Sequence, residues 1–169
     1  MGASLATGTG IALTQRRMAQ PVVRRRGWAD WEADAVRAVA RYAPHLVRGA
    51  LSIVFLWFGA LKLASASPVA ELVSRTLPWF PADSAVIGVG ALEVVIGLAF
   101  LSGRALRVAL VLFFVQMAGT FLTFVAVPEQ CFQGGHVLLL STTGEFVFKN
   151  VVLMAAGLVV VGTLPPPAR

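Results

Sequence analysis

The sequence predicts an all-α protein: a bundle of four transmembrane helices with an N-terminal amphipathic helix at the membrane interface. Composition is the first observation, because 57% of the 169 residues are hydrophobic and only 13% are charged, against roughly 25% charged in soluble domains. The second is a set of four long apolar runs. The third is that "VALVLFFVQMAGTFLTFVAV", the third run, does not alternate polar and apolar residues as the strands of a membrane barrel would.

The four apolar runs define one predicted membrane domain, residues 45–164, followed by a short tail at 165–169. Each run is long enough, or nearly so, to cross about 30 Å of hydrocarbon as a helix. A helix also satisfies its backbone hydrogen bonds internally, as a lipid-embedded segment must. The predicted helices cover residues 45–64, 85–102, 108–127 and 145–164.

Residues 1–27 are predicted to form a disordered basic tail that lies near anionic lipid head groups. The tail has no acidic residue, and no apolar segment follows it that could serve as the core of a signal peptide. Its basic character comes from Arg16, Arg17, Arg24, Arg25 and Arg26.

Residues 28–44 are predicted to form an amphipathic helix that ends near Pro44. Apolar residues recur at spacings of three and four, as they would on one face of a helix, namely Trp28, Trp31, Ala35, Val39 and Tyr42. Tryptophan and tyrosine on that face favour the membrane interface. An ordinary surface helix packed on its own bundle is a compatible alternative.

The distribution of basic residues predicts the topology. Eight of the fourteen lysines and arginines precede the first predicted membrane helix or lie at its start, and the loop "GRALR" after the second helix holds two more. Positively charged loops stay in the cytoplasm. We therefore expect both termini to be cytoplasmic.

Eight polar residues in or beside the apolar runs form the candidate site. A charged side chain at the centre of a membrane helix costs about 2.5–3.5 kcal/mol, so it usually faces other helices and has a partner. Glu93 is short and deep in its run, and a cluster with Lys62 and Lys149 is the hypothesis for its partners. The complete candidate set is Lys62, Glu93, Gln116, Thr120, Thr123, Glu145, Lys149 and Asn150.

Small residues predict which helix faces are buried, because glycine lets helices approach closely in lipid. Gly90 shares a face with Glu93, and Gly59 shares one with Lys62. Glu145 suits the positive end of a helix dipole and stands four residues before Lys149. Three roles for the cluster remain open: a structural knot, a pocket for a ligand or quinone head group, and a path for a proton or ion.

The loop "PEQCFQGGH" holds Cys131 and His136, with Glu129 as the one additional metal-ligand type. This set does not predict a metal site. Cys131 is either a candidate redox thiol or a cysteine without a role. Nucleic-acid binding is not expected, because the basic residues are not interleaved with aromatics on a polar surface. An enzyme acting on its own is not expected either, because the sequence shows no pairing of a nucleophile with a base.

Four stretches resemble the DoxX-like four-helix membrane proteins, and most resemble the branch of the reactive-chlorine-resistance inner membrane protein of enteric bacteria. They are "RGALSIVFLWFGALKL", "GALEVVIGL", "QMAGTF" and "TTGEFVFKN". The resemblance covers residues 45–163, and Lys62, Glu93, Lys149 and Asn150 match its motif positions. It implies a bundle in the bacterial plasma membrane and a link to oxidative stress or to a quinone-linked oxidoreductase.

These expectations leave three functions. The first is an accessory membrane subunit or redox-stress protein that contacts quinone, with a membrane oxidoreductase or a second copy as partner. The second is a carrier for a small solute or for protons. The third is a structural scaffold. No cofactor other than quinone is expected.

Overall fold

The computed structural model describes residues 27–166, and this part of the chain is mainly helical, as predicted. Four of its helical segments are long and apolar enough to cross a membrane, and they span Trp28–Leu63, Ala82–Ser102, Leu106–Ala126 and Thr142–Val161. Each contains most or all of one predicted apolar run. The prediction of four transmembrane helices is therefore confirmed.

The elements follow one another as helices with one short hairpin near the C-terminal end. In chain order they are α1 Trp28–Leu63, α2 Ala70–Thr76, α3 Ala82–Ser102, α4 Leu106–Phe121, α5 Thr123–Ala126, α6 Pro128–Cys131, β1 Phe132–Gln133, β2 His136–Leu140, α7 Thr142–Phe148 and α8 Asn150–Val161. The third span consists of α4 and α5, which are separated at Leu122, and the fourth consists of α7 and α8, which are separated at Lys149.

The prediction that a helix ends near Pro44 is wrong, because α1 continues through that proline for a total of 36 residues. Proline removes one backbone donor and crowds the preceding turn. A break would leave several more backbone groups without partners, which is costlier beside hydrocarbon, and membrane helices tolerate proline for this reason. The proposed boundary between an interfacial helix at 28–44 and the membrane domain is therefore not a helix end.

The first helical turns, up to Val36, form a unit separate from Arg37–Arg169. In this unit the Gly27 amide donates a hydrogen bond of 2.9 Å to Asp30, which caps the start of α1. Trp28 and Trp31 are exposed, and their place at a membrane interface stays a prediction. The tail predicted for residues 1–27 lies outside the described residues, except for Gly27.

The core of the larger unit is a cluster of apolar side chains from α1, α3, α4 and α8. The Phe113 ring lies 5.3 Å from the Phe55 ring and 5.7 Å from the Phe100 ring, measured between centroids. The buried members are Leu51, Phe55, Ile96, Phe100, Ala109, Leu110, Phe113, Met117 and Val160. Through this cluster the four helices pack against one another.

Helices α1 and α3 run antiparallel and in close contact. The Ser52 hydroxyl donates a hydrogen bond of 2.8 Å to the Gly97 carbonyl, and further along α1 the backbone of Gly59 meets that of Gly90. Residue numbers increase along α1 in the direction in which they decrease along α3, so the two helices are antiparallel. The predicted glycine faces are confirmed as helix contacts.

The short helices α2 and α6 and the hairpin were not predicted from the sequence. Helix α2 occupies the connection between the first two spans, and the hairpin of β1 and β2 occupies the loop before the last span. The hairpin turns at Gly134 and Gly135, whose φ angles of 57° and 75° favour glycine. Helix α2 matters for function because it contributes to the site.

Candidate functional site

A buried ion pair between α1 and α3 is the centre of the site. The Lys62 ammonium lies 2.7 Å from Glu93 Oε2 and 3.0 Å from Oε1, and both residues are buried. Gln116 on α4 donates a third hydrogen bond to Glu93 Oε1, at 3.2 Å. Three helices therefore converge on one carboxylate, in agreement with the expectation that Glu93 faces its neighbours.

Glycine places this ion pair. A methyl group on Gly90 would lie 2.7 Å from the Lys62 Cβ atom and 3.0 Å from the Gly59 carbonyl oxygen. A methyl group on Gly59 would lie 2.8 Å from the Gly90 carbonyl oxygen. Any larger residue at either position would push α1 and α3 apart. The close helix contact brings the side chain of Lys62 within reach of Glu93, three residues after Gly90.

The prediction that Lys149 contacts Glu93 is wrong. Its ammonium lies 3.7 Å from Glu145, one turn earlier, and both side chains are exposed. The hydrogen bonds that Glu93 receives from described residues come from Lys62 and Gln116. The predicted pair of Glu145 and Lys149 at four-residue spacing is confirmed, and this local pair keeps the Lys149 charge at the surface.

A cavity of about 540 Å³ lies next to the ion pair. Its walls are mostly apolar, with Phe58 on α1, Leu72 on α2 and Phe146 on α7 among them. The polar residues of the lining, here called the polar wall, are Lys62, Thr76, Glu93, Gln116, Thr120, Thr123, Lys149 and Asn150. Seven of the eight predicted site residues therefore line one space, and Glu145 is the exception.

Sequence reasoning missed Thr76, because the segment between the first two spans was interpreted as a loop. The pattern of Leu72, Val73 and Thr76, spaced by one and three residues, gives a short helix one inward face. These three residues line the cavity. This spacing was the available signal, in a segment of only seven helical residues.

Three threonines line the cavity, and their hydroxyl protons are donated within the protein. Thr76 donates its proton to the Leu72 carbonyl at 2.7 Å, so Thr123 must be the donor in the 3.2 Å contact between the two threonines. Thr120 donates to the Gln116 carbonyl at 3.1 Å. The three hydroxyl protons are used within the protein, and one lone pair of Thr76 accepts the Thr123 proton, so these hydroxyls can serve a ligand only as acceptors through their remaining lone pairs.

Donors for a ligand come from other groups. Glu93 uses two hydrogen bonds of the Lys62 ammonium, which leaves a third N–H. Gln116 uses one of its two amide protons on Glu93. The Asn150 side chain, which lines the cavity, makes no hydrogen bond to another described residue. The polar wall can thus donate to carbonyl oxygens and accept from hydroxyl groups.

The charges of the site cancel in pairs. Lys62 balances Glu93 at 2.7 Å, and Lys149 balances Glu145 at 3.7 Å. An ionic ligand would bring an unpaired charge into a mostly apolar cavity, at a cost that a neutral polar ligand avoids. The site therefore suits a neutral molecule with hydrogen-bonding groups at one end.

Cys131 lies apart from the cavity at the end of α6. Its side chain is fully buried, and its sulfur lies 3.8 Å from the Thr123 carbonyl oxygen. Burial raises the pKa of the thiol, and the Glu129 carboxylate raises it further. A buried thiol with a raised pKa is a poor nucleophile. The role of Cys131 as a redox thiol stays a prediction that these features do not favour.

His136 begins β2 and is exposed. Over residues 27–166, no three histidine, cysteine, aspartate or glutamate side chains come together in a way that could hold a metal ion. His136 therefore has no partner ligands in this part of the chain, and nothing in its surroundings links it to the cavity.

Comparison with known proteins identifies one family. The family model named DoxX matches residues 43–126, which is about half of the chain. No curated protein and no solved structure matches. The matched region runs from the middle of α1 to the end of α5 and includes Lys62, Glu93 and Gln116, whereas Lys149 and Asn150 lie beyond it. The chain is therefore an integral membrane protein that belongs to the DoxX-like family.

Proposed function

We propose that this protein is an accessory membrane subunit in redox or oxidative-stress metabolism and that its cavity binds the head group of a quinone. The observation that carries the proposal is the combination of an apolar cavity with one polar wall inside the membrane-spanning bundle. Ligand sites typically have volumes of roughly 300–1,000 Å³, mostly apolar walls and a few polar groups. The cavity, at about 540 Å³, fits this description.

Quinone chemistry matches the hydrogen-bonding groups of the wall. A quinone ring is neutral and carries two carbonyl acceptors, for which Lys62, Gln116 and Asn150 offer donors. Its reduced form carries two hydroxyl groups, for which the threonine oxygens offer acceptors. The rings of Phe58 and Phe146, 6.2 Å apart between centroids, provide an apolar surface for the flat face.

A structural role for the ion pair is a second proposal that one observation favours. Lys62 and Glu93 lie where Gly59 and Gly90 bring α1 and α3 into backbone contact. Such a pair can fix the register of the helices. The two roles are compatible, because Gln116 and Asn150 then make the contacts that discriminate between ligands.

We also propose that the protein lies in the bacterial plasma membrane with both termini in the cytoplasm. The Arg48 guanidinium packs beside Gly103, so Arg48, Arg104 and Arg107 gather at one end of the bundle. This basic end suits the cytoplasmic face. It leaves α2 and the hairpin on the opposite side.

Equilibrium binding tests the quinone proposal. The full-length protein in lipid nanodiscs is titrated with decylubiquinone, with empty nanodiscs as the reference for partition into lipid. We expect saturable binding that Gln116→Leu and Asn150→Leu each weaken by roughly tenfold, as the loss of one ligand hydrogen bond predicts. Gln133→Leu, which changes an exposed amide outside the cavity, is the matched control. Binding that does not saturate would refute the proposal.

A further inference from the structure

Some exposed residues of the cavity wall lie near the middle of the membrane-spanning segments. Most of its wall is buried or half-buried, but five lining residues are exposed, and they are Val115, Gly119, Phe146, Lys149 and Val152. Val115 lies near the middle of the span Leu106–Ala126, and Val152 lies near the middle of Thr142–Val161. The two residues are 63% and 69% exposed. At that depth an exposed side chain contacts lipid chains and not water.

Gly119 leaves space at this part of the wall. A methyl group built on Gly119 would meet no atom within 4 Å, whereas one on Gly59, Gly90 or Gly97 would collide with the neighbouring helix. Gly119 is therefore not a helix-packing glycine. It lies one turn after Val115 on the same helix and lines the cavity, so its missing side chain widens the space where the cavity meets the surface.

We infer that the cavity is loaded laterally from the hydrocarbon of the bilayer, past Val115, Gly119 and Val152, and that its ligand is a neutral amphiphile whose chain stays in the lipid. The inference rests on the proposed binding function and adds the route of entry and the form of the ligand. The polar wall takes the head group. The opening at mid-membrane depth takes the chain, which needs no room inside the protein.

Physical chemistry favours this route for such a ligand. A molecule with a long apolar chain partitions into the membrane, since each buried CH₂ group contributes about 0.8 kcal/mol. Entry from water would require the whole chain to leave the bilayer first. Entry through a lipid-facing opening requires only that the head group slide sideways between helices, where Lys62, Gln116 and Asn150 replace its lost hydrogen bonds.

The first test measures ligand entry. Decylubiquinone is bound to nanodisc protein carrying Gly119→Trp or Val152→Trp, which fill the opening. The controls are Val111→Trp and Val159→Trp, at exposed positions on the same helices outside the cavity wall. We expect the association rate to fall by roughly tenfold or more in the first pair and to stay unchanged in the controls. Unchanged entry in the first pair would overturn the lateral route even if wild-type binding is normal.

The second test does not depend on a ligand. A nitroxide spin label is attached at Gly119→Cys, with Val111→Cys as the lipid-facing control, both in a Cys131→Ala background. We expect both labels to collide more often with oxygen, which dissolves in lipid, than with a water-soluble nickel chelate. Greater access of the nickel chelate at Gly119 would overturn the inference. Absence of quinone binding by the wild type would refute the proposed function and leave the spin-label result to decide the route.

Discussion

Lys62 and Glu93 carry opposite charges inside spans that are otherwise apolar, and their pairing is the main polar interaction at the residue scale. Their side chains are 5% and 11% exposed, and their charged atoms lie 2.7 Å apart. A buried pair contributes little net stability compared with an apolar pair of the same shape, but a single buried charge is costly. Removal of one partner should therefore lower the stability of the protein more than removal of both.

Lys62→Met should lower the free energy of unfolding by about 3–5 kcal/mol, because it leaves Glu93 charged and unpaired. Glu93→Gln should be destabilising for the same reason, since it leaves Lys62 unpaired. The double variant Lys62→Met/Glu93→Gln should recover much of the loss. The measurement is thermal unfolding in detergent. Strictly additive effects of the two substitutions would show that the residues do not act as a pair.

At the scale of elements, the contact between α1 and α3 depends on glycine. Gly90→Ala should destabilise the bundle by about 1–3 kcal/mol, because the new methyl group overlaps Lys62 and the Gly59 backbone. Gly88→Ala is the matched control on the same helix, since a methyl group there meets no atom within 4 Å. Thermal unfolding of the two variants side by side measures the difference. Equal stability would mean that α1 and α3 are not in close contact at Gly90.

The elements show how far the sequence alone determines the fold. Scarcity of charge was enough to predict the four spans, because a lipid-embedded chain has few alternatives to helices. Pro44 misled the prediction, since the local rule for helix ends ignores the cost of breaking a helix beside lipid. Helix α2 and the hairpin were not predicted because short elements take their stability from tertiary packing. Their sequences therefore show little periodicity of their own.

The candidate site, like the fold, was predicted from the sequence only in part. The cost of a buried carboxylate correctly predicted a cation beside Glu93, and Lys62 fills that role. That cost does not indicate which of the two lysines is the partner. Lys149 pairs with Glu145, which lies one helical turn away on the same segment. The convergence of Gln116 on the same carboxylate depends on how α4 packs against α3. That geometry has no signature in a single sequence.

At the scale of the whole molecule, the proposed orientation places the hairpin outside the cytoplasm. Cys131 cannot report this orientation, because it is buried and its thiol pKa is raised. Leu138 on the hairpin is 90% exposed. Leu138→Cys in a Cys131→Ser background should react with a membrane-impermeant maleimide added to intact cells.

The native protein should react much more slowly under the same conditions, and the raised thiol pKa means that its rate should begin to increase only at a higher pH than that of Leu138→Cys. Protection of Leu138→Cys in intact cells, with rapid labelling after lysis, would reverse the proposed orientation.

The central claim is that the cavity holds a quinone head group at its polar wall, and photoaffinity labelling tests this claim most directly. The full-length protein in nanodiscs is irradiated with an azidoquinone and digested, and the modified residues are located by mass spectrometry. We expect modification on α4 near Gln116 and Thr120 and on α8 near Asn150, and suppression of this labelling by excess decylubiquinone. Labelling that is scattered over the lipid-facing surface, or that excess decylubiquinone does not suppress, would contradict the account.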